Sequence, residues 1–126
     1  MTTATALFAS LLCAGMCAAA DKDTKPMFAC NLKAIGAAER PRYNELVKRI
    51  RAAIRDRSEI SNGYAFKLDS KAVTLPEAAE WIVMERLCCP FLTLQLSAAG
   101  NQADWTLTLT GPEGVKPLIV EEFPAR

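Results

Sequence analysis

Apolar positions along the chain come in short runs whose period switches between helical and extended. From Ala37 to about Arg57, Tyr43, Leu46, Val47, Ile50, Ala53 and Ile54 recur at intervals of three and four, which predicts a helix with one apolar stripe. Pro41 fits its first turn, where a missing N–H costs no hydrogen bond. Ser61-Asn62-Gly63 signals a turn, and Tyr64, Phe66 and Leu68 then alternate with Ala65 and Lys67 as in a half-buried strand. Thr74-Leu75-Pro76-Glu77 opens a second helix as a capping box. That helix is apolar nearly all round apart from Glu80, Glu85 and Arg86, so it is expected to be the buried one. Pro90 disfavours helical geometry at the residue before it, which ends the helix at Cys88 or Cys89.

Phe91, Leu92, Leu94 and Leu96 suggest a strand, Ala98 to Asp104 a loop, and Trp105, Leu107 and Leu109 alternating with threonines a second strand of the same hairpin. Gly111-Pro112-Glu113-Gly114 turns the chain into a short last helix with Pro117 in its first turn. The order is α-β-α-β-β-α. The expected fold is α+β, a small antiparallel three-stranded sheet with helices packed on one face.

The first twenty residues stand apart. Met1 to Ala20 carries no charge, Ala6 to Cys17 is mainly apolar, and Ala18 and Ala20 supply small residues ahead of Asp21-Lys22-Asp23. This is the pattern of a signal peptide cleaved after Ala20, although no Lys or Arg precedes the apolar run. The run is shorter than the roughly 20 apolar residues that span a bilayer. Residues 21–26 read as a flexible leader and residues 27–126 as a single domain. A periplasmic or secreted location follows, with no stable membrane span after cleavage.

Composition narrows the chemistry. With 15 Lys+Arg against 14 Asp+Glu, the chain has no global field to recruit nucleic acid, so the basic face of the first helix reads as solvated surface. The chain has no histidine, which removes the Ser-His-Asp and Cys-His nucleophile pairs and the His-containing zinc sites. Of 5 cysteines, Cys13 and Cys17 fall in the expected signal peptide, which leaves Cys30, Cys88 and Cys89. An odd number in an oxidising compartment leaves one thiol free, bonded to another chain or bound to a ligand.

Three readings of these cysteines stand side by side. In the first they are expected to form a two- or three-thiolate site for a soft metal or metalloid such as Cu(I), Zn(II), Hg(II) or As(III), which deprotonates its own thiol ligands, with the composition leaning toward copper or mercury over structural zinc. Met27 or Met84 offers a thioether to such a site, and Glu85 and Arg86 form its surroundings. In the second reading Cys88 or Cys89 is a redox thiol with Cys30 resolving, although a helix C-terminus opposes thiolate formation. In the third, Cys88 is a small core residue and Cys30 makes a structural disulfide with Cys88 or Cys89, within an interaction module that has no catalysis. Oligomeric state stays open between monomer and homodimer.

The strings Phe28-Ala29-Cys30, Gly63-Tyr64-Ala65-Phe66, Glu85-Arg86-Leu87-Cys88-Cys89-Pro90-Phe91 and Leu109 to Lys116 resemble a group of small uncharacterised bacterial proteins. The resemblance covers about Phe28 to Phe123. It implies no activity and no cofactor, and it marks Cys30, Cys88 and Cys89 as the positions to test.

Overall fold

A computed structural model describes residues 28–124. The leader, Met27, Cys13 and Cys17 lie outside them. Element order is a single 3-10 turn at Leu32–Ala34, α1 (Arg40–Ala53), β1 (Ile54–Ile60), β2 (Gly63–Leu68), α2 (Leu75–Cys88), β3 (Thr93–Ser97), β4 (Trp105–Thr110) and α3 (Lys116–Glu122). The fold is α+β with three α-helices and an open antiparallel sheet of order β1-β2-β4-β3.

The sheet has four strands where the sequence pattern predicts three. The additional strand is β1, which occupies the predicted last turn of the first helix. The apolar stripe of α1 runs without a break through Ile54, yet Ile54 has extended backbone (φ −63°, ψ 117°) and the chain passes directly from helix to strand. Beyond it, Arg55 to Glu59 is polar throughout, as suits an edge strand whose charges discourage pairing with another chain. Arg55 and Arg57 therefore belong to the sheet edge. Arg55 pairs with Asp69 (2.8 Å) and Asp104 (3.6 Å), while the Arg57 guanidinium lies 5.1 Å from the centroid of the Tyr64 ring.

In register, Phe66 opposes Leu107, which in turn opposes Leu96, and Tyr64 opposes Leu109, which opposes Leu94. These residues share one face of the sheet and make the core together with Tyr43, Leu46 and Ile50 of α1, Ala78 and Trp81 of α2, and Ile119. Trp81 meets the Phe123 ring edge-on at 5.7 Å, and Phe66 packs against the same ring, tilted, at 5.7 Å. The opposite face of the sheet carries Lys67, Thr93, Gln95 and Ser97, all exposed.

Helix α2 starts as the capping box requires. The Thr74 hydroxyl accepts from the Glu77 N–H at 3.3 Å and the Glu77 carboxylate accepts from the Thr74 N–H at 3.0 Å. Its burial differs from expectation. Ala78, Trp81, Met84, Glu85 and Cys88 form the buried face, while Val83 and Leu87 are 62% and 49% exposed. Apolar composition on all sides does not bury a helix that has only one sheet and one neighbouring helix to pack against. Three arginines of α1 are engaged in ion pairs: Arg42 grips Glu80 at 2.7 and 2.9 Å, Arg49 meets Glu77 at 2.7 Å, and Arg51 meets Glu122 at 3.0 Å. Among the described residues no helix is long and apolar enough to cross a membrane.

Gly63 begins β2 where its backbone lies closest to β4. A methyl group there would collide with the Leu109 carbonyl oxygen. Gly63→Ala is expected to lower unfolding free energy by about 2 kcal/mol or more in urea titration. Unchanged stability would contradict this register.

Candidate functional site

The site forms where the N-terminal arm crosses the end of α2. A helix leaves its last carbonyls without intrahelical partners, and at α2 that end is buried. The Cys88 carbonyl accepts a hydrogen bond from the Asn31 N–H at 2.9 Å, which fixes residues 28–31 against the helix terminus. Phe28 stacks obliquely on Phe91, with ring centroids 4.9 Å apart, and closes the other end of the arm. Pro90 stops the helix, Cys89 serves as its C-cap, and the Cys89 N–H donates to the Glu85 carbonyl at 2.8 Å.

These contacts place Cys30 against Cys89. The two form a disulfide with Cα atoms 4.9 Å apart, across a sequence separation of 59. The loop-entropy model assigns such a bridge roughly 4 kcal/mol of stabilisation through the unfolded state. Between the two partners that sequence leaves open, Cys89 is selected because it turns off the helix toward the arm. Cys88 stays on the buried helical face and keeps a free thiol.

Around Cys88 lies a small polar network inside the core. Its thiol donates to the Glu85 carbonyl (3.4 Å) and to Glu85 Oε2 (3.6 Å), and its Sγ is 3.7 Å from Cys89 Sγ. The Tyr43 hydroxyl, arriving from α1, donates to the same Glu85 Oε2 at 2.6 Å and lies 3.7 Å from Cys88 Sγ. Glu85 is the one buried charged residue among those described, with 3% exposure. Burial pushes its carboxyl above the ordinary carboxylate range, against the lowering effect of the hydrogen bonds from Tyr43 and Cys88. Burial, then the charge of Glu85, pushes the Cys88 thiol up to about 11. Burial, then its hydrogen bond to Glu85, raises the Tyr43 hydroxyl.

The structure thus brings Cys30, Cys88, Cys89 and Glu85 together, with one potential ligand atom from each and all four within 4.8 Å of one another. Arg86 does not join them. It is exposed, and among the described residues it makes no hydrogen bond or ion pair with the cluster. Met84 is buried on the core face one turn before Cys88. Tyr43 is the participant that sequence reading missed, because it looks like one more member of the α1 apolar stripe. The signal for Glu85 was present: it sits at helical spacing within Ala78, Trp81 and Cys88, on the stripe that faces inward. No family model, no curated protein and no solved structure matches this chain.

Two chemistries are open to this arrangement. A thiol 3.7 Å from a disulfide sulfur is placed for exchange, but burial and the charge of Glu85 keep that thiol protonated at neutral pH. Three sulfurs, two of them joined in the disulfide, and a carboxylate oxygen also lie within 4.8 Å of one another. A metal bound at about 2.3 Å to tetrahedrally placed sulfurs holds them about 3.8 Å apart.

Cys88 in the native protein is expected to resist iodoacetamide near pH 8 and to react fully in denaturant, as read by peptide mapping. Equal labelling in both states would contradict its burial. Glu85 sets a pH dependence as well. Its folded-state pKa is raised above the unfolded 4.5, so its stabilising contribution is complete below pH 4.5 and is lost as pH rises through the folded value. Glu85→Gln should flatten the fall in urea midpoint as pH rises above 4.5. A variant with the parent slope would show that Glu85 is not the group responsible.

Proposed function

We propose that the protein, once its disulfide is reduced, binds one soft metal ion or metalloid, with Cu(I) and Hg(II) the leading candidates. Cys30, Cys88 and Cys89 are the sulfur ligands. The observation that carries this reading is the convergence of all three cysteines and Glu85 within 4.8 Å, with Cys88, Cys89 and Glu85 buried. A thiophilic ion displaces the thiol protons itself, so the raised pKa of Cys88, unfavourable for a nucleophile, does not oppose binding. Glu85, hydrogen-bonded to the Cys88 thiol, accepts the released proton and orients the sulfur. The lack of histidine favours such ions over a closed structural zinc site.

The Cys30–Cys89 bridge agrees with export to an oxidising compartment, where disulfides persist. In this reading residues 1–20 are a cleaved signal and the product is a periplasmic or secreted carrier without turnover. A second reading, thiol–disulfide exchange among the three cysteines, is favoured by the 3.7 Å approach of Cys88 to Cys89.

Phosphine-reduced protein is expected to take up one equivalent of Hg(II) or Cu(I), read by mass spectrometry under native conditions. The Cys88→Ser/Cys89→Ser double variant should stay folded and lose that uptake by at least about 100-fold in affinity. Unaltered stoichiometry and affinity in the double variant would end the metal reading.

A further inference from the structure

A cleft of about 760 Å³ opens between the N-terminal arm, α1 and α3, with Phe28, Val47 and Leu118 among its apolar walls. Cys30 and Tyr43 line it, while Cys88 and Cys89 do not. Both of those cysteines are 0% exposed, whereas Cys30 is only partly buried. Of the three sulfur-bearing residues, Cys30 is therefore the one that an entering molecule meets. The charged side chains of the cleft are also unequal. Arg51 is committed to Glu122 through both its carboxylate (3.0 Å) and its carbonyl (2.7 Å). Lys48 on α1 and Glu121 on α3 make no ion pair among the described residues, so the cleft offers one cation and one anion to a ligand.

We propose that this cleft is a binding site for a low-molecular-weight thiol that carries both an ammonium and a carboxylate, and that such a thiol opens the cluster by attack on Cys30. The entering thiolate forms a bond to Cys30 Sγ as the Cys30–Cys89 bond breaks. Cys89 leaves as a thiolate and takes up the equivalent of the proton that the entering thiol gave up. A second thiol then attacks the mixed disulfide, departs as the oxidised dimer of the reductant, and leaves Cys30 reduced. Two thiols are oxidised as the two protein sulfurs are reduced. Nucleophilic strength in this step comes from the incoming thiol, so the weak acidity of Cys88 does not limit it. The inference concerns how the bridge opens and stands apart from what the opened cluster then holds.

The test uses the oxidised protein and reduced glutathione, quenched with acid at low conversion and mapped by peptide mass spectrometry. The added thiol is expected on the Cys30 peptide. Its appearance on Cys89, or equally on both, would overturn the assignment. Leu118→Trp, which narrows the cleft, should slow opening by glutathione at least about tenfold, and Lys48→Glu should slow glutathione more than the uncharged 2-mercaptoethanol. Unchanged rates in the first variant, or equal effects on both thiols in the second, would also overturn it. Both variants, reduced instead with a phosphine, report separately whether Hg(II) uptake survives.

Discussion

The buried C-terminal turn of α2 is the constraint on which the rest of the site depends. A helix end taken out of water must find partners for its carbonyls, and here the N-terminal arm supplies one, through the Asn31 N–H to the Cys88 carbonyl. That single backbone bond, flanked by the Phe28–Phe91 contact, brings Cys30 across a sequence separation of 59 to the two cysteines of the helix terminus. The disulfide then makes the arrangement permanent for as long as it stays oxidised. Polar necessity at a helix end and covalent bonding thus act on the same few atoms.

The electrostatics of that turn follow from its position. The negative end of the helix dipole and a carboxylate with 3% exposure both disfavour further negative charge. Arg86, the one cation in the last turn of α2, points to solvent. Cys88 is consequently held as a neutral thiol, with Tyr43 and Glu85 satisfying its polar neighbours. Such a thiol is a poor attacking group and a good ligand in waiting, because a bound soft cation supplies the positive charge that the protein withholds. The same environment leaves the entering reagent to provide the reactivity, which is why access to Cys30 from the cleft matters.

Where local rules act alone, the chain was readable. The capping box at Thr74 and Glu77, the stop at Pro90, the Trp105–Thr110 alternation and the place of Pro117 are set by a few neighbouring residues, and each forms as expected. Strand β1 was not readable, because the α1 stripe continues through Ile54 in helical register while the next five residues carry no apolar alternation. Its place is fixed by hairpin pairing with β2 across Ser61-Asn62 and by Arg57 lying over Tyr64, neither of which leaves a mark in the apolar pattern. The cysteines were legible as a group of three, but their pairing depends on which way each leaves the helix end. The contribution of Tyr43 depends on the packing of α1 against α2. Val83 and Leu87 show the converse limit, since apolar residues on a helix do not reveal how many sides of it the rest of the fold covers.

The central claim is that three sulfurs meet at one point in the reduced protein. X-ray absorption at the metal edge of phosphine-reduced protein loaded with one equivalent of Hg(II) counts those sulfurs directly. A first shell of three sulfurs, reduced to two when Cys30 is replaced by serine, is the result this account predicts. A shell of two sulfurs or fewer in the parent protein, unchanged by Cys30→Ser, would contradict it.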